Sequence, residues 1–250
     1  MWQDVSQCVK KPSPAAPPPT FPSRCRPVVK PVTLSLPKPC LCLVTDRSAT
    51  SGDLVERVAQ AVQGGVDLVQ LREKDLSGGQ LLELAESLLK VIGRRARLIV
   101  NERADVALAA RAQGVQLGED GLPVSAARMA VGSGALVGRS VHSVQAAAQA
   151  EAEGADFLVV GTMFASRSHP GEEPEGPGLM RQISAKCRLP LIGIGGITPE
   201  NAAEVIKARA SGVAVISNIL AAPDPKIAAE KLKESIQKAW RIHGKPTGVT

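Results

Sequence analysis

The sequence predicts an α/β fold, a single (β/α)8 barrel that follows a disordered N-terminal extension. Three observations predict it. From residue 40 onward, eight short β-branched or Leu-rich runs alternate with eight amphipathic, Ala-rich segments. The repeats are evenly spaced and complete in about 200 residues, the size of one closed barrel. Residues 1–39 differ in composition: they hold 10 of the 19 prolines and Lys10, Lys11, Arg24, Arg26, Lys30 and Lys38 against the single acid Asp4.

The strand runs are Cys40–Thr45, Asp67–Leu71, Arg97–Val100, Gly114–Leu117, Leu136–Arg139, Phe157–Val160, Leu191–Ile194 and Val213–Ile216. Helical periodicity, with apolar residues three and four apart, marks 53–64, 79–93, 104–112, 124–131, 143–153, 178–187, 199–208 and 226–240. Ser77 and Ser143 are placed to cap two helices, and Thr198-Pro199 reads as a cap followed by proline at the first helical position. The alternative, an open doubly wound sheet, does not call for eight equal repeats. A closed TIM barrel does, and it puts chemistry at the carboxyl ends of the strands, with phosphate after strands seven and eight.

The net charge of +6 is mostly the tail, which contributes +5, so the folded 211 residues are nearly neutral. Residues 1–38 cannot bury enough apolar surface to offset ordering and are expected to be disordered. They read as a transit peptide, a translated upstream region or a linker, but not as a secretory signal, because no apolar core follows the early basic residues. Residues 39–250 form the predicted barrel. Aromatic residues are 2% with no Tyr, against nucleic-acid binding through base stacking. No run of 18 apolar residues suggests a membrane span. The five cysteines are scattered; Cys40-x-Cys42 lies in a predicted strand expected to separate the two thiols, a poor metal clip. A reducing, cytoplasmic setting suits them.

The strand ends carry the candidate chemistry. After strand two, Gln70, Arg72 and Lys74 alternate with Leu71 and Glu73, so an amide, a guanidinium and an ammonium share one face that suits a polyanion such as diphosphate. A solvated charged loop is the competing reading. After strand three, Asn101 would read a polar heterocycle and Glu102 ligate a hard cation, or else both would serve the start of the next helix. Gly118-Glu119-Asp120-Gly121 is a carboxylate pair for Mg²⁺ or a polar turn. Ser140 and His142 share a face after strand five, where a histidine can carry a proton. The longest loop, 161–178, contains Ser166, Ser168 and His169 and reads as a lid or a surface insertion. Gly195-Gly196 after strand seven, with Ile216 and Ser217 at strand eight, fall where a barrel keeps its phosphate site.

In this order QLREKD, NER, GVQLG, GRSVHS, GTMF, GIGGITPEN and VAVISNI resemble the thiamine-phosphate synthase and thiazole tautomerase family of barrels, over residues 40–240. The resemblance implies that Gln70, Arg72 and Lys74 hold an aminopyrimidine diphosphate, with Asn101 and Ser140 near the pyrimidine. It implies a thiazole phosphate on Gly196, Ile216 and Ser217, with Ser166, Ser168 and His169 on its phosphate side. Both partners are small molecules, and a homo-oligomer is left open. Synthase chemistry implies Mg²⁺ on Glu102 and Asp120 and release of diphosphate to leave a pyrimidinylmethyl cation. The tautomerase branch implies no cofactor and a proton shuttled by His142; the candidate catalytic residues are thus Ser140 and His142. A non-catalytic binder of phosphorylated ligands is the third reading. The chain departs from the synthase pattern at Glu102 for Asp, at Gly121 for Asp and at His169 for Lys.

Overall fold

The computed structural model describes residues 35–50, 52–165 and 173–244. The predicted tail up to residue 34, together with Ser166, Ser168 and His169, lies outside the described residues. Eight parallel strands close in sequence order: β1 (Cys40–Val44), β2 (Leu68–Leu71), β3 (Arg97–Asn101), β4 (Gly114–Leu117), β5 (Leu136–Val141), β6 (Phe157–Val160), β7 (Leu191–Ile194) and β8 (Gly212–Val215). The last pairs back onto the first through Cys40–Gly212 and Leu43–Val215. Helices α1 (Leu54–Gln63), α2 (Gly78–Ile92), α3 (Ala104–Ala110), α4 (Val124–Val131), α5 (Val144–Ala152), α6 (Gly176–Ser184) and α7 (Ala202–Lys207) each follow a strand. A short α8 (Ser217–Leu220) precedes α9 (Pro225–His243).

The two-residue period of the strands splits the apolar side chains into two cores. Leu43, Val69, Leu98, Val115 and Leu158 point outward to the helices. Cys42, Leu68, Ile99, Leu136, Phe157, Ile192 and Ala214 fill the barrel itself. Cys40 and Cys42 both belong to this inner group, which corrects the expectation that the strand separates them: residues two apart share a face. Burial raises both thiols, Cys42 to about 12, so they remain protonated and serve as small apolar side chains.

The base of the barrel is fastened by a repeated device. The residue just before each of β2, β4 and β6 turns its side chain onto the main chain of the preceding strand. Asp67 accepts from Leu41 N at 2.7 Å, Gln113 from Leu98 N at 2.7 Å and Asp156 from Val137 N at 2.7 Å. Lys233 of α9 neutralises Asp67 at 2.5 Å, and Arg128 of α4 pairs with Asp156. Leu36 joins the inner core, and Ser35 O accepts from Arg97 Nη1 at 2.5 Å. A chain starting at Ser35 should therefore melt with the full-length protein, whereas one starting at Pro39 should lose about 1.5–3 kcal/mol with the Leu36 side chain. Thermal melts of both truncations check this.

Ser77 caps α2 in a reciprocal box with Gln80, and Ser143 caps α5, as the sequence predicts. The helix expected from Pro199 instead begins at Ala202, because Asn201 precedes it and folds its side chain back to Thr198 N at 2.8 Å. Strand β5 continues to Val141, so Ser140 sits within the wall of the barrel rather than after it. Helix α6 begins two residues earlier than its periodicity suggests, at Gly176. Among the described residues no helix is long and apolar enough to cross a membrane.

Candidate active site

At the carboxyl ends of the strands lies a cavity of about 950 Å³, in the range of small-molecule sites. Its lining brings together Gln70, Arg72, Lys74, Asn101, Glu102, Asp120, Ser140, His142, Gly196, Ile216 and Ser217, every candidate residue within the described part of the chain. The wall is two-sided. Inward positions on β2 to β5 carry Gln70, Asn101, Gln116 and Ser140, whereas those on β1, β6, β7 and β8 carry Val44, Val159, Ile194 and Ala214. The polar arc is paired within itself: Gln70 Nε2 donates to Asn101 Oδ1 at 3.0 Å, and Gln116 Nε2 to Ser140 Oγ at 3.1 Å.

The alternation in QLREKD sorts the charges. Glu73 turns away and is buried, where it accepts from Arg47 N at 3.1 Å and Arg47 Nε at 3.3 Å. Arg47 also holds Asp75 at 2.6 Å, and that hydrogen bond keeps the Asp75 carboxyl below its ordinary range. Both acids of the segment are thus taken by Arg47. Arg72 and Lys74 face the cavity, and among the described residues neither forms an ion pair. The main chain beneath them is fixed by buried Thr45, whose Oγ1 accepts from Arg72 N at 2.9 Å.

Asn101 is the last residue of β3, and Arg103 is the cap of α3, which removes the helix-cap reading of Asn101. Glu102 adopts φ 61°, a left-handed conformation costly for a residue with a side chain and concentrated at functional sites. Its Oε1 accepts from Gly118 N. A Cβ on Gly121 would stand 2.5 Å from Glu102 Oε2, and one on Gly118 would stand 2.7 Å from Oε1. The two glycines form a cradle for this carboxylate, and its longer arm occupies the space that a side chain at 121 would need.

The loop that supplies Gly118 to Gly121 is tied to β5. Arg139 donates to Leu122 O at 2.7 Å and Glu119 O at 2.5 Å, and His142 Nδ1 lies 2.5 Å from Glu119 Oε2. Glu119 is therefore the partner of His142 rather than one of a carboxylate pair with Asp120. Across the cavity, Gly195 and Gly196 take φ 104° and 60°. A Cβ on Gly196 would lie 2.4 Å from Ala165 O, so only glycine lets the β7 and β6 loops approach this closely.

The profile of the family described as thiamine monophosphate synthase matches residues 41–219, from the first strand into α8. The chain belongs to this family. Within the thiamine monophosphate synthase family it is similar to the thiamine-phosphate synthase of Chlorobium luteolum, at 44% identity over 196 residues, 78% of this chain and 91% of the relative. It shares 42% identity over 202 residues with that of Haloquadratum walsbyi, covering 79% and 91% of the two chains. A thiamine phosphate pyrophosphorylase from Pyrococcus furiosus superposes with a TM-score of 0.74 at 33% identity, over 80% of this chain and 96% of that one. The structure of a 3-hexulose-6-phosphate synthase, at 21% identity and a TM-score of 0.63, shares the fold.

Two residues of this family member's site were not singled out by sequence. Gln116 is buried on the inward face of β4, and the alternation that separates Gln70 from Leu71 also separates it from Val115 and Leu117. Arg139 clamps the β4–α4 loop, a role that only the packing reveals.

Proposed function

We propose that this chain is a transferase, a thiamine-phosphate synthase that joins an aminopyrimidine diphosphate to a hydroxyethylthiazole phosphate and releases diphosphate. The observation that carries this reading is the pair of cations, Arg72 and Lys74, which form no ion pair among the described residues and stand beside an arc of neutral hydrogen-bonding side chains on the same wall. The cations complement a diphosphate, and the arc complements an uncharged polar ring next to it. Gly196, Ile216 and Ser217 lie across the cavity, where the phosphate of the second substrate would be held.

The chemistry follows from charge. As the bond between the pyrimidinylmethyl carbon and the diphosphate oxygen breaks, negative charge grows on the leaving group beside Arg72 and Lys74. Both cations gain interaction energy at that moment, which is the kind of interaction that speeds a reaction. The apolar half of the wall, Val159 and Ile194, keeps water from the carbocation until the thiazole nitrogen captures it.

The donor set fits a hard cation of the kind that arrives with a substrate. Glu102 and Asp120 offer carboxylates to the cavity, and the glycine cradle leaves room for Glu102 Oε2. Among the described residues no group of three or more acidic, His or Cys side chains is placed to hold a metal ion by itself. Mg²⁺ usually takes one or two carboxylates and completes its shell with water and substrate phosphates. When bound, it would neutralise charge on the leaving diphosphate.

The His142–Glu119 contact favours a second reading, a thiazole tautomerase, since a carboxylate on Nδ1 leaves Nε2 to move a proton. The two enzymes part on metal. Synthase turnover should vanish in EDTA and return with Mg²⁺, and Glu102→Ala should raise the Mg²⁺ concentration required. A tautomerase would ignore EDTA and lose about 10²–10⁴-fold on His142→Ala. Turnover in neither assay, with phosphate ligands still bound, would indicate a non-catalytic binder.

A further inference from the structure

The polar arc contains a side chain that does not line the cavity. Gln116 is 1% exposed, and its amide reaches two acceptors: Leu117 O at 3.2 Å and Ser140 Oγ at 3.1 Å. A main-chain carbonyl can only accept, so the Gln116 atom beside Leu117 O must be the NH2 group. The same nitrogen faces Ser140, and its second hydrogen is donated there. Ser140 Oγ therefore accepts from behind, and its one hydroxyl hydrogen is left to donate elsewhere. Ser140 does line the cavity.

The other end of the amide is expensive to keep. Gln116 Oε1 is buried with no hydrogen-bond partner among the described residues, and a Cβ on Gly138 would lie 2.2 Å from it. An orphaned buried acceptor costs about 1–3 kcal/mol, a cost that an apolar residue of the same shape would not carry. What the amide supplies in return is the N–H on Ser140.

We propose that Gln116 is a positioning residue that fixes the hydrogen-bond polarity of Ser140, making the β5 side of the pocket floor a donor. Beside it, the Gln70–Asn101 pair uses one NH2 hydrogen and one oxygen internally and leaves an amide oxygen and an NH2 group for the ligand. The floor then selects a heterocycle that turns a ring nitrogen with a free lone pair toward Ser140 and places an amino group within reach of an amide oxygen. This deepens the synthase reading and rests on it, because an aminopyrimidine has that pattern. It also separates recognition from chemistry: Gln116 acts on ring selection through Ser140 and has no part in holding phosphate.

The test is calorimetric binding of the pyrimidine diphosphate, and of the two analogues in which one ring nitrogen is replaced by C–H, to the full chain. Wild type should bind the pyrimidine at least about tenfold more tightly than one of the analogues, the worth of one well-made hydrogen bond. Gln116→Met and Ser140→Ala should each abolish that ratio, and the double variant should lose no more than either alone. Affinity for the thiazole phosphate should not move in any variant, which a general loss of fold would not spare. Undiminished discrimination by Gln116→Met, or additive losses in the double variant, would overturn the proposal. Should the Gln116 variants melt early, wild type alone decides: equal affinity for the pyrimidine and both analogues overturns it. Failure of wild type to bind the pyrimidine diphosphate, with thiazole phosphate still bound, would instead remove the synthase reading on which the proposal stands.

Discussion

Replacing Arg72 with alanine is expected to weaken binding of the pyrimidine diphosphate by about 1.5–3 kcal/mol, the worth of a hydrogen bond to a charged group, with thiazole phosphate affinity unchanged. The size follows from the wiring around it. Arg47 occupies Glu73 and Asp75, the two acids nearest to Arg72 in the sequence, and among the described residues the Arg72 guanidinium forms no ion pair. Its main chain is anchored to Thr45, so the truncation removes the cation without moving the strand end. Lys74 remains and keeps the loss from being complete. Titration calorimetry with each ligand in turn checks this; equal losses for both would return Arg72 to a structural role.

A second large effect is expected at the centre of the barrel. Phe157 is fully buried and is the largest side chain of the inner core. Its ring fills the space that Gly138 leaves open on the neighbouring strand, where a Cβ would lie 2.2 Å from Phe157 Cζ. Phe157→Ala should cost about 3–5 kcal/mol, from lost transfer energy and the cavity left behind. For a domain of this size that lowers Tm by about 6–20 °C. The floor of the site rests on this ring, because Gln116 Oε1 also packs over Gly138. The variant should therefore lose pyrimidine discrimination as well as stability, measurable below its melting temperature.

Much of this architecture was legible in the sequence because a barrel repeats. Eight alternations of a two-residue and a 3.6-residue period located every strand to within two residues at either end. The convergence of Gln70, Arg72 and Lys74 was found by carrying the strand period past the end of β2 at Leu71, through Arg72 to Lys74 in the turn before α2. What was hidden depended on packing. The same alternation places Gln116 inward, but its chemical worth is visible only with Ser140 beside it. The Cys40–Cys42 expectation failed by misapplying the same rule. Glu102 in a left-handed conformation carries no composition signal, and neither does the pairing of Glu119 with His142 across two loops. Thr198-Pro199 looked like a helix start because the motif is local, yet Asn201 postpones the helix by closing a turn of its own.

The central claim is that the cavity unites two phosphorylated heterocycles. The most direct measurement is product analysis after incubating the full chain with the pyrimidine diphosphate, the hydroxyethylthiazole phosphate and Mg²⁺, with each component omitted in turn. Thiamine phosphate and diphosphate should appear in equal amounts, only when all three are present. Aromatisation of a carboxythiazole phosphate in a parallel incubation, with no thiamine phosphate formed from the complete mixture, would contradict the account.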